Sequence, residues 1–278
     1  MRKLSRSIYL LRKTWLVLGL VFLLPFTSDR ARAADAPQPT ANSGFDVYLE
    51  KVEARLAHQH QSPIGFLAGL DSARDRLRRG ELIIENLNTG SDISLPGAML
   101  HHWRGTAFVP NAQIADFERL IKDFNTYPQH FSPEVLQGKV LSERKDNGVD
   151  YISASMRVRQ KHVLTVVMDM NYDVAFARLD AQHGYSSSRS TRVAEIGSAG
   201  TSKERVLSDD EEHGFLWRLN TYWSYEEGDG GLYMQIESIS LTRSIPTGLG
   251  WAIKPFVESV PRESLEFTLR SACNDLKK

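Results

Sequence analysis

The chain has 278 residues, length for one large domain or two small ones and enough to bury a sizeable core. Its 41% apolar and 24% charged residues exclude disorder throughout, and no apolar run reaches the length of a membrane-spanning helix. The formal charge of zero hides an asymmetry: residues 1–33 carry seven of the 34 basic residues against the single acid Asp29, leaving 27 basic and 33 acidic, net −6, in the rest. That remainder has no electrostatic footprint for nucleic acid.

Residues 1–33 read as an export signal. A basic stretch runs to Lys13, an apolar run of 12 residues spans Trp15–Phe26, and Ala31-Arg32-Ala33 forms a small-residue site before Ala34. The competing reading is an uncleaved anchor, but Leu10 and Leu11 extend the run only across Arg12 and Lys13. No cysteine lies near residue 33 for lipid attachment. Expressed in a secreting bacterium, the protein is expected outside the cytoplasm, periplasmic or extracellular, with an intact mass that starts near Ala34. A full-length, membrane-retained product would assign Trp15–Phe26 to an anchor instead.

Residues 34–44 are rich in Pro, Ala and Ser and read as a flexible leader. Phe45, Tyr48, Leu49, Val52 and Leu56 then recur at helical spacing. A second helix is expected over Asp71–Arg79, with Asp71 as N-cap and Gly80 as stop. Its Arg74, Arg76, Arg78 and Arg79 alternate with Asp71 and Asp75, which suits a solvated face better than an anion site. The apolar connector Ile64–Leu70 is expected to pack on a domain, with transient membrane contact left open. Residues 45–80 thus form an N-terminal helical extension.

From Glu81 the pattern changes to period two. Strands are expected near 81–87, 99–109, 138–144, 149–158, 163–178, 185–196, 213–224 and 231–243. The cluster Gly228-Asp229-Gly230-Gly231 marks a hairpin. Helices are expected after Pro110 and from about Leu249 to Leu276, where Pro255 and Pro261 should divide the stripe and Pro261 should kink or restart it. Cys273 is the only cysteine, so an internal disulfide and a cysteine-based zinc cluster are excluded.

The order of elements, together with His102–Pro110, the aromatic segment Asp123–Pro128, the strand Phe215–Asn220 and the closing Ile239–Arg243 before a helix, resembles the START-like superfamily. That group includes lipid-transfer START domains, plant pathogenesis-related ligand binders and polyketide cyclase/dehydratase-like proteins. The resemblance covers about residues 81–276 and implies an α+β helix-grip fold: a curved antiparallel sheet of about seven strands wrapped around the long C-terminal helix. It also implies a cavity for an apolar ligand between them.

On that reading the candidate ligand-binding residues are Trp103, Tyr127, Met156, Met168, Met170, Trp217, Trp223, Met234, Glu237, Trp251 and Phe256. The methionines suit an adaptable apolar surface, though ordinary core explains them too. Strand parity places Phe215, Trp217, Leu219 and Trp223 on one face and Arg218 and Asn220 on the other. Glu237 shares parity with Ile239 and Leu241, and facing the pocket it would need a partner or a raised pKa. His58 and His60 diverge on a helix, and His101 and His102 on a strand, which argues against a metal site. No Walker A run, H-E-x-x-H, complete dinucleotide loop or G-x-S-x-G elbow occurs, and no cofactor is called for.

Two functions follow. One is noncatalytic binding or transport of a hydrophobic small molecule, lipid-like, quinone-like or polyketide-like. The other is a cyclase/dehydratase-type enzyme using the same cavity, with Glu237 or His213 as acid or base. Oligomeric state is not legible.

Overall fold

The computed structural model describes residues 36–88, 95–161, 165–244 and 250–278, the side chains of 250–258 excepted. The expected export signal lies outside them. Its frame is an antiparallel sheet built from β1 (Ile83–Asn86), β2 (Ala98–Pro110), β3 (Val135–Asp146), β4 (Val149–Lys161), β5 (Thr165–Arg178), β6 (His183–Gly197), β7 (Arg205–Val206), β8 (Arg218–Gly228) and β9 (Gly231–Arg243). The order is β1-β2-β9-β8-β6-β5-β4-β3, with β7 paired to β6. The helices are α1 (Pro39–Gln59), α2 (Leu70–Arg78), α3 (Ile114–Lys122), α4 (Tyr127–His130) and α5 (Gly250–Asp275). A curved antiparallel sheet closed on a C-terminal helix is the α+β helix-grip arrangement.

Alternation sends the two sets of each strand to different partners. On β2, Trp103, Ala107 and Val109 join the cluster that contains Leu265, Leu269 and Ala272 of α5. Leu100 instead joins Phe45, Leu49, Val52 and Leu56 of α1, and Phe108 joins Phe66, Leu67, Leu70 and Leu77 in and before α2. The sheet therefore has an inner face under α3 and α5 and an outer face under α1 and α2. Gly105 sets how close α5 comes: a Cβ there would lie 2.6 Å from Leu265 Cδ2 and 3.1 Å from Leu269 Cδ2. Only a residue without a side chain admits that approach.

The β8–β9 turn is as its sequence requires. Asp229 (φ 53°) and Gly230 (φ 75°) both take the left-handed region, the signature of the two-residue turn whose twist matches its strands. Elsewhere the structure departs from expectation. Pro39–Gly44 is helical rather than leader, with Pro39 in the first turn and Ala41 fully buried. In α2 the N-cap is Gly69, and Asp71 sits inside the first turn. The two-residue β7 adds a ninth strand among the described residues. α5 runs as one helix through Pro255 and Pro261. Its anchors Leu265, Leu269, Ala272 and Cys273 all follow Pro261, so tertiary packing offsets the backbone bond that proline removes.

Strand β8 begins at Arg218, five residues later than the pattern suggests. Glu195 is the cause. Its buried carboxylate accepts the backbone N–H groups of His213 and Phe215, both at 3.1 Å, and holds that stretch as a loop.

Candidate functional site

The inner face has two halves. Toward α3 it is sealed: Ile114, Phe117, Leu120 and Ile121 pack on Ala107, Val109, Val174, Phe176, Tyr225, Leu232 and Met234, all 5% exposed or less. Phe117 meets Trp223 and Tyr225 edge-on, with centroids 5.1 Å away in each case. Burial pushes the Tyr225 hydroxyl pKa up, and it donates to Glu118 Oε1 at 2.9 Å.

The other half is accessible. One cross-strand row runs Trp103, Ser238, Thr221, Ser188 over β2, β9, β8 and β6, and all four are half-buried. The adjoining row holds His101 and Ser240, both buried, with half-buried Leu219 on β8. His101 Nε2 lies 3.1 Å from Thr242 Oγ1. Val193, Met156, Val158 and Val166 continue this half across β6, β4 and β5, half-buried and packed against the main cluster. At the β1–β2 edge it meets a pocket of about 430 Å³ lined by Asn86, Asn88, Met99, Leu100, His101, Trp103 and Ser259 of α5, within the size range of small-molecule sites.

The sequence-predicted residues divide over these regions. Trp103 and Met156 lie in the accessible half. Met168, Met170, Trp223 and Met234 lie in the main cluster at 4%, 2%, 8% and 0% exposure, as closely packed core. Tyr127 belongs to that cluster's rim: its ring stacks on Phe124 at 4.4 Å and its hydroxyl donates to the Ile121 carbonyl at 2.7 Å. Trp251 and Phe256 are on α5, their side chains outside the described residues. Trp217 and Glu237 belong to the opposite side of the sheet. Trp217 precedes β8, so strand alternation does not govern it, and it packs in the cluster under α1. Absent from the expected set were the serines and threonine of the accessible row, whose period-two polar pattern reads as a solvent face.

Glu237 is a buried tie between α1 and the sheet. Its Oε2 accepts from Arg55 Nη2 at 2.5 Å and from His102 Nε2 at 3.0 Å, while Tyr48 donates to His102 Nδ1 at 2.8 Å. Burial pulls its pKa upward, but the His102 hydrogen bond and the Arg55 charge outweigh that and hold it below the usual value. The tie floors an outer-face cleft of about 390 Å³ between α1 and the β1–β2 edge. Arg218 faces this side as parity predicts, and meets Asp46 of α1 at 2.7 Å rather than open solvent.

Two titratable features stand apart. His213 is exposed, and its Nδ1 lies 2.8 Å from Glu195 Oε2. Glu134, just before β3, has its pKa pushed up to about 7 by burial, with the charge of Glu263 on α5 adding to it. Among the described residues no group of three metal-ligating side chains occurs.

No protein-family model matches the sequence, and no curated protein does. Among solved structures, a STAR-related lipid transfer protein fragment from Xanthomonas axonopodis is similar at 15% identity, over 70% of this chain and 99% of that one, with a TM-score of 0.41. The Zhui aromatase/cyclase from Streptomyces sp. R1128 is similar at 11% identity over 64% and 94%, TM-score 0.41. Human STARD10 is similar at 9% over 73% and 78%, TM-score 0.39. The helix-grip assignment rests on the strand order and on α5, and the activities in those names remain those proteins' own.

Proposed function

We propose that the protein binds and carries a hydrophobic small molecule between its sheet and α5, without changing it chemically. The observation that carries this reading is the division of the inner face: one half is sealed by α3, while the other keeps half-buried apolar side chains beside a pocket of about 430 Å³. No Lys or Arg stands on the described strand positions of the accessible half, so an anionic head would find no counter-ion on them, and its apolar side chains favour an apolar occupant. Lipid-like, quinone-like and polyketide-like molecules fit this description. Export by residues 1–33 would place the carrier in the periplasm or outside the cell.

The second reading, an enzyme on the same cavity, draws on the His213–Glu195 pair. A carboxylate at Nδ1 fixes the tautomer and leaves Nε2 as a base. Purified protein should copurify with an apolar compound visible by mass spectrometry, and should bind a neutral environment-sensitive dye saturably at micromolar concentration. Chemical turnover of a bound compound that is lost in His213→Ala would establish the enzyme reading in its place.

A further inference from the structure

We infer that the site selects a ligand with a neutral, oxygen-bearing head, an alcohol, ketone or ester, seated on the hydroxyl row Ser188–Thr221–Ser238. The inference rests on the carrier reading above and specifies its ligand. These residues are successive register partners on the adjacent strands β6, β8 and β9, so strand spacing puts them about 5 Å apart. They share the inner face with Trp103, the register partner of Ser238.

All three are half-buried, and none makes a side-chain hydrogen bond among the described residues. Two further hydroxyls of the same face, those of Thr242 and Ser190, are engaged. Thr242 meets His101, and Ser190 Oγ accepts the Leu219 N–H at 2.9 Å. The row is therefore a short polar band with open hydrogen-bonding capacity, flanked by the apolar side chains of Trp103, Leu219 and Val193.

A hydroxyl both donates and accepts, so the row can satisfy an alcohol or a carbonyl wherever along it the oxygen falls. It cannot neutralise a charge. The described strand positions around it carry no Lys or Arg, and on β6 this face carries the carboxylate of Glu195, seven residues beyond Ser188. A buried carboxylate or phosphate would lose its hydration without a counter-ion and would face that like charge. An ammonium head finds Glu195 already holding His213 and Phe215. Chain length is served by the apolar flank of Met156, Val193 and Leu219.

The test is competition at pH 8 against a neutral environment-sensitive dye bound to the full protein, using 1-decanol, decanoate and decylammonium. Decanol should displace the dye at a concentration at least tenfold below either ion. Thr221→Val, which keeps the shape and removes the hydroxyl, should weaken decanol about tenfold more than it weakens the dye, which makes no head-group hydrogen bond. Ser238→Ala repeats the measurement should Thr221→Val fold poorly. Decanoate competing as well as decanol, or both variants binding decanol like the parent, would overturn the inference while dye binding leaves the carrier reading standing. Failure of the dye and all three competitors to bind would overturn both.

Discussion

Arg55→Met should lower unfolding stability at pH 7 by roughly 2 to 3 kcal/mol, whereas Glu237→Leu should cost much less. The asymmetry follows from who is buried. Glu237 is 2% exposed, while the Arg55 side chain is 41% exposed. Removing Arg55 leaves a carboxylate in the interior with the His102 hydrogen bond and the more distant Arg104, whose Nη1 lies 3.9 Å from Oε1, for compensation, which is still the costly case for a broken ion pair. Removing the carboxylate leaves a guanidinium that reaches water. Solvent at Arg55 keeps the figure under that of a fully buried pair.

The same tie fixes a pH dependence. The Glu237 pKa is depressed in the folded protein, so its contribution is full above the unfolded carboxylate value and is lost as pH falls through the folded one. His60, whose Nε2 shares a 2.7 Å hydrogen bond with Ser224, adds to this. Burial, helped by the charge of Arg55, lowers its pKa to about 4. An unfolded histidine gains its proton near 6.5, so stability falls as pH drops from there toward 4. Urea midpoints should therefore decline below about pH 6.5 in the parent. In Arg55→Met the buried carboxylate keeps its desolvation and loses its nearer cation, Arg104 remaining at 3.9 Å, so the deficit against the parent should shrink on acidification. A deficit constant with pH would mean that Arg55 acts by packing alone.

Why these ties were hidden in the sequence is a matter of coverage. Alternation shows which residues share a face, and it correctly groups Glu237 with Ile239 and Leu241. It does not say which face is inner when both are covered, and here α1 and α2 give the outer face an apolar cluster of its own. Long strands and α3 were legible because their burial is periodic over many residues. The start of β8 was not, because a distant carboxylate, Glu195, outcompetes the ladder for the N–H groups of His213 and Phe215. The methionines show the limit of composition. Met234 and Met156 are chemically alike, yet α3 seals one into core and leaves the other at an accessible surface. The serines of β6 and β9 look like solvent-facing residues until the register sets them beside Trp103.

Tryptophan substitutions at Val193 and Met234 should separate open space from packed core. Val193 is half-buried on the inner face of β6, paired in register with Met170. Met234 is 0% exposed under α3. Enlarging a side chain in closely packed core forces neighbours off their rotamers and costs about 1 to 3 kcal/mol. Met234→Trp should carry that cost, with dye affinity per folded molecule unchanged, because the ring displaces core atoms and no ligand volume. Val193→Trp should shift the urea midpoint little and weaken the dye at least about tenfold, a loss of roughly 1.4 kcal/mol, because its ring fills space that the ligand needs. The two observables must move in opposite variants for the division to hold. If Val193→Trp instead destabilises strongly while dye binding persists, the accessible half is loosely packed core, and the ligand must enter elsewhere.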